Sequence, residues 1–138
     1  MTYTETTTET TTELIEPILV DPIDTFEQVK IVAAAAEDKK ASDVTVLKLI
    51  GVTTFTDYFV ICSANSSRQV QSISEEIEGS LRSKKIRPLH VEGRTNAEWI
   101  LMDYGTFIVH VFNEKSRQFY DLERLWRDAE KVELSVQS

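Results

Sequence analysis

Cys62 is the only cysteine of this 138-residue chain, and His90 and His110 are its only histidines. A thiol nucleophile would therefore be Cys62 with an imidazole brought to it by folding, since a nucleophile and its base need only meet in space. The competing reading is that Cys62, inside the apolar run TDYFVICS, is a small buried hydrophobe in a central strand. His110 reads as a polar residue on a strand face, satisfied by a neighbour, and His90 as a partly exposed residue of an edge strand. These three residues lack the clustered spacing of a structural zinc site. Asp57 and Asp103 are carboxylates at strand ends, with Glu92 and Glu98 nearby in sequence. Two-metal phosphoryl or nucleotidyl transfer needs carboxylates paired closely enough to bridge the ions, and no Asp-x-Asp or Asp-x-Glu pair falls on a strand end. Gly51, Gly79, Gly93 and Gly105 stand singly, so neither a P-loop nor a dinucleotide fingerprint is present. The expectation is a protein without catalytic residues, metal ligands or a cofactor.

The elements that position these residues centre on 99–126, WILMDYGTFIVHVFNEKSRQFYDLERLW, which contains both tryptophans. It reads as strand, tight turn, strand and short helix. A two-residue turn at Tyr104 and Gly105 would set Met102 opposite Phe107, Leu101 opposite Ile108, Ile100 opposite Val109 and Trp99 opposite His110. Side chains alternate along a strand, so Ile100, Met102, Phe107, Val109 and Val111 form an apolar face. Trp99, Leu101, Asp103, Thr106, Ile108 and His110 form a mixed one. The first is expected to be core and the second a surface for a partner; a one-residue slip of the turn would exchange them. Downstream, Asp121 is placed as the cap of a final helix carrying Leu122, Leu125 and Trp126. Phe119, Tyr120 and Trp126 stand among charges, a mixture that protein interfaces favour, although core packing of Trp126 is equally open.

Upstream, Asp24 and Glu27 have capping-box spacing ahead of Phe26, Val29, Val32, Ala33 and Ala36, which predicts a helix of about four turns. DVTVLKL (43–49) and TDYFVICS (56–63) read as strands, the second central because it is apolar on both faces. A second helix starts near Ser66 or Ser67 with Val70, Ile73, Ile77 and Leu81 as its stripe. It ends in Arg82, Lys84 and Lys85, which suit the negative end of its dipole. IRPLHVEG (86–93) is a short strand, and Pro88 puts it at a sheet edge or stands at its first pairing position. The fold class is α/β of the α+β kind: a single mixed sheet of about five strands with helices mainly on one side.

Residues 1–22 are a Thr/Glu-rich acidic leader, expected to be disordered; 23–132 form the domain and 133–138 a C-terminal tail. The formal charge is −8, and the leader's five acids, without a base, leave −3 for the rest. That balance opposes binding through phosphate neutralisation and favours a basic protein surface as partner, with little direct nucleic-acid contact. No apolar run is long enough to cross a bilayer. The lone cysteine and the absence of a signal or transit pattern point to a bacterial-type cytoplasm.

The segments KKASDVTVLKL, FTDYFVICSANSSRQVQSI, VEG followed by EWILMDYGTFIVHVF, and RQFYDLERLW together resemble the ribosomal silencing factor (Iojap-related) family over about residues 25–130. The resemblance implies a non-enzymatic regulator on a nucleotidyltransferase-like fold that lacks the catalytic carboxylates. It would bind the large ribosomal subunit through a basic protein at the intersubunit face, conventionally the fourteenth large-subunit protein. Blocking subunit joining there would repress translation when nutrients are scarce. The family's partner surface, carried over to this chain, falls on Trp99, Leu101, Asp103 and Tyr104, to which the mixed face adds Ile108 and His110. The alternative is a degenerate nucleotidyltransferase-like enzyme. An exposed Trp99 and Leu101 face also allows a homodimer off the ribosome.

Overall fold

Asp24 opens the first helix by accepting a hydrogen bond from the Glu27 N–H at 2.9 Å, as the capping-box spacing predicts. The computed structural model describes residues 23–134, so the acidic leader and the end of the C-terminal tail lie outside the described residues. Helix α1 (Thr25–Asp38) buries Val29, Val32, Ala33 and Ala36. Strand β1 (Ser42–Lys48) then pairs antiparallel with β2 (Tyr58–Ala64), which is buried along almost its whole length. Ser66 caps α2 (Ser67–Arg82), accepting from the Gln69 N–H at 3.1 Å, and the stripe Val70, Ile73, Ile77 and Leu81 is fully buried.

Three further strands follow: β3 (His90–Glu92), β4 (Trp99–Asp103) and β5 (Phe107–Asn113). After them come α3 (Glu114–Tyr120), α4 (Leu122–Leu125) and the two-residue strand β6 (Glu130–Lys131). All belong to one mixed sheet in the order β3-β4-β5-β2-β1-β6, in which only β2 and β5 run parallel. The sixth strand exceeds the expected five because β6 is too short and too charged to leave an alternating signal. Strand β3 sits at the edge and starts only at His90, so Pro88 lies before the ladder and not in it. Helices α1 and α2 cover one face, burying Val46, Val60, Cys62, Ile100, Met102, Phe107, Val109 and Val111. Among the described residues no helix is long and apolar enough to cross a membrane.

The hairpin register differs from the expected one by two residues. Asp103 faces Ile108, Met102 faces Val109, Leu101 faces His110, Ile100 faces Val111 and Trp99 faces Phe112. The turn is centred on Gly105 and Thr106, closed by the Tyr104 N–H donating to the Phe107 carbonyl at 2.9 Å. Asp103 decides this: its Oδ1 accepts from the Gly105 N–H at 2.8 Å, and Gly105 takes φ +88, a left-handed value that suits glycine. A shift of two residues restores the original alternation, so the two faces keep their expected composition.

A helix that the sequence did not announce, α3, precedes the expected final one. Asn113, accepting from the Ser116 N–H at 2.8 Å, caps α3. Asp121 stands at the N-cap position of α4, as expected, but it makes no side-chain cap bond and adopts the left-handed region at φ +48. The one buried residue of α3 is Arg117, so the helix carries no apolar period to announce it.

Candidate functional site

Alternation along four strands builds the second face of the sheet. Leu47 of β1, Phe59 and Ile61 of β2 and Phe112 of β5 are buried there, and Leu122, Trp126 and Ala129 from the C-terminal segment pack over them. Helices α1 and α2 are thus on one side, while the segment 122–129 covers part of the other. Trp99, Leu101, Asp103 and Ile108 are each half-buried on the part toward the β3 edge. His90 and Glu92 of β3, both exposed, stand opposite Asp103 and Leu101 on that same face.

Trp99 is held from three directions. Its Nε1–H donates to His110 Nδ1 at 3.1 Å, its ring stacks on Phe112 at 4.8 Å between centroids, and Tyr120 meets it at 4.6 Å. His110 in turn meets the Phe59 ring edge-on at 4.5 Å, and Phe59 contacts both Trp126 and Phe55. A continuous run of rings therefore crosses the face from Phe119, through Tyr120, Trp99, His110 and Phe59, to Phe55. Its ends are exposed, Phe119 by 79% and Phe55 by 55%, Trp99 is half-buried, and only His110 and Phe59 are closed off. Such fixed rings offer contact area whose ordering cost is already met before a partner arrives.

Burial pushes the His110 pKa down to about 3, so the ring is neutral. With Nδ1 accepting from Trp99, its proton is on Nε2, a buried atom without a hydrogen-bond partner among the described residues. Cys62 is fully buried on the opposite face, and its thiol is pushed up to about 12 by burial. Alternation therefore separates Cys62 from His110, and the two form no nucleophile and base pair. Among the described residues no cluster of three or more His, Cys, Asp or Glu side chains able to hold a metal occurs.

Of the expected site residues, Trp99, Leu101, Asp103, Ile108 and His110 share this face. Tyr104 does not. It is buried on the helix-covered face, stacked on Phe107 at 4.9 Å. Its hydroxyl is pushed up to about 12 by burial and the nearby Glu78, against the pull of Arg94 and Arg82. As the immediate neighbour of Asp103, it must point the other way.

The expected set omits Tyr120 and the device that holds it. Arg117 is almost fully buried and donates to the Asp43 carbonyl at 2.7 Å, Ser63 Oγ at 2.9 Å and Thr45 Oγ1 at 3.2 Å. Its Nε and Nη2 also fork onto the Glu123 carboxylate at 3.1 and 2.8 Å. The Arg117 guanidinium holds the Glu123 carboxyl below its usual range, against the opposing effect of burial. This latch ties α3 and α4 to the ends of β1 and β2 and so sets Tyr120 against Trp99. Breaking a buried, hydrogen-bonded charge pair leaves its partners stranded. Arg117→Met is therefore expected to lower unfolding free energy by about 2–4 kcal/mol, read as a lower urea midpoint with increased protease sensitivity after β5. Unchanged stability would show that the latch is not needed.

The family described as Ribosomal silencing factor during starvation matches residues 22–138. The ribosomal silencing factor RsfS of Bacillus subtilis is 43% identical over 105 residues, covering 76% of this chain and 89% of that one. The mouse protein named Mitochondrial assembly of ribosomal large subunit protein 1 is 25% identical over 115 residues, covering 81% of this chain and 50% of that one. A crystal structure of a protein from Bacillus halodurans has a TM-score of 0.71 at 37% identity, covering 80% of this chain and 100% of that one.

Proposed function

The chain belongs to the ribosomal silencing factor family, and from that premise we propose that it binds the large ribosomal subunit, blocks joining of the small one and so represses translation. The observation that carries the reading is the half-buried patch of Trp99, Leu101, Asp103 and Ile108, which combines an ordered aromatic anchor with an acidic margin. Trp99 is the anchor, Leu101 and Ile108 provide apolar contact area, and Asp103 offers charge to a Lys or Arg of the partner. A basic ribosomal protein at the intersubunit face suits that chemistry, as does the net charge of −8. The name of the mouse relative supports the large subunit as the target. The protein acts by occupancy, without catalysis, in the cytoplasm. Off the ribosome the same patch is open to a second copy of the chain, so self-association would compete with binding.

The deciding experiment is sedimentation of the tagged protein with separated subunits. It should travel with large subunits, stay off small ones and prevent the two from forming whole ribosomes when they are mixed. Sedimentation with small subunits alone, or joining at its normal rate in the presence of saturating protein, would refute the reading.

A further inference from the structure

The surface charge of this acidic protein is unevenly placed, and its exception lies beside the proposed docking patch. Residues 79–91 contain Arg82, Lys84, Lys85 and Arg87 together with His90, and no Asp or Glu. All four cations are exposed, and none forms an ion pair among the described residues. They occupy the end of α2 and the connection into β3. The dipole of α2 suits Arg82, Lys84 and Lys85 at its end but not Arg87 beyond them, and it gives none of the four a partner side chain.

Lys85 stands where α2 gives way to this connection. The helix unwinds with the Ile86 N–H donating to the Leu81 carbonyl at 3.0 Å, and Lys85 takes φ +66. Helices that end this way ordinarily put glycine in the left-handed position; Lys40 ends α1 in the same way, so what sets Lys85 apart is the company of Arg82, Lys84 and Arg87. The connection then runs straight to the tip of the hairpin that carries the patch. The Leu89 N–H donates to the Asp103 carbonyl at 2.7 Å, and His90 faces Asp103 across the β3–β4 ladder.

We infer that this corner, Arg82, Lys84, Lys85 and Arg87, contacts RNA phosphates on the ribosome while the adjoining Trp99 and Asp103 patch engages protein. The inference rests on the ribosome-binding reading. A cluster of unpaired, exposed cations within an acidic chain suits a polyanion, and on a ribosomal surface the abundant polyanion next to any basic protein is RNA. Its contribution is local: a few phosphate contacts that orient the protein, beside a protein contact that supplies most of the affinity.

The test is a salt series of cosedimentation with purified bacterial large subunits. Lys85→Gly removes one charge and relieves the backbone, so the variant folds. Lys40→Gly is the matched control, because Lys40 also has φ +66 but lies at the other end of α2, where Gln69 Nε2 donates to its carbonyl. That end is about 24 Å from the corner along the 16-residue helix. Lys85→Gly should weaken binding roughly threefold to tenfold at low salt and flatten the slope of log affinity against log salt by about 1. Adding Arg87→Gln should flatten it by about 1 more, while Lys40→Gly should leave it unchanged. Ultraviolet irradiation of the wild-type complex should leave nucleotide adducts on peptides from 79–91. Wild-type affinity and slope in the Lys85→Gly/Arg87→Gln variant would overturn the inference and leave ribosome binding standing. So would crosslinks from this segment to protein only, which would make the contact an acidic protein. Failure of the wild-type protein to sediment with large subunits would remove the ribosome reading and this inference together.

Discussion

Asp103→Lys should weaken binding to large subunits by more than about a hundredfold, and Trp99→Ala by about thirtyfold or more, for different reasons. Trp99→Ala deletes the anchor, at a typical cost of ~2 kcal/mol or more at an interface. It also strips Phe112 and Tyr120 of the ring they contact at 4.8 and 4.6 Å. Some lost affinity would then reflect a loosened fold, about 2–3 kcal/mol less stable by analogy with other buried aromatic truncations. Asp103→Lys leaves those rings in place and sets a cation against a basic partner, but it also removes the acceptor that holds the Gly105 N–H at 2.8 Å. Asp103→Asn separates these effects, since an amide oxygen can keep that bond while the charge is lost. The expected order of affinity is wild type, then Asn, then Lys, with wild-type urea midpoints for Asn. Sedimentation titrations check the affinities and urea melts check the folding. Wild-type affinity in both Trp99→Ala and Asp103→Lys, each still folded, would exclude this patch as the docking surface.

Acid should unfold the protein through His110 before it touches most carboxylates. The unfolded imidazole takes up its proton near pH 6.5, whereas burial lowers the folded value to about 3. Between those values the unfolded state binds more protons, so stability is fully present above pH 6.5 and falls as the pH drops toward 3. The expected loss is about 2 kcal/mol by pH 5 and roughly 4 kcal/mol over the whole window. Glu123 follows at lower pH, because its folded pKa is depressed and the stability it adds disappears only as the pH falls through that lower value. Protonation of His110 would also cancel the bond from Trp99, since an imidazolium Nδ1 cannot accept. In His110→Phe the loss between pH 7.5 and pH 5 should shrink to what carboxylates contribute. Urea unfolding at the two pH values measures it, and an equal loss in wild type and variant would remove His110 as the cause. The same series followed by tryptophan fluorescence should show the Trp99 environment changing with the acid transition.

The division of the hairpin into an apolar and a mixed face was legible in the residues because it depends on a period of two, a purely local property. It survived a register that came out two residues away, since any even shift restores the same faces. The capped starts of α1 and α2 were legible for the same reason: Asp24 and Ser66 act on N–H groups three residues on. Residues from distant parts of the chain were not legible in that way. Nothing near Trp99 in sequence announces that Tyr120 contacts it, or that Arg117 reaches Asp43, Thr45 and Ser63 to hold Tyr120 there. A buried arginine leaves a helix without an apolar stripe, which is why α3 carried no signal of its own. The sequence by itself determined the class of fold, the composition of each face and the family to which the motifs point. Tertiary structure decided the rest: that Tyr104 lies on the helix-covered face, that residues 122–129 cover part of the second face, and that Trp99 is held rather than free. Those outcomes depend on which surfaces close against one another across many residues, and local chemistry does not encode that choice one element at a time.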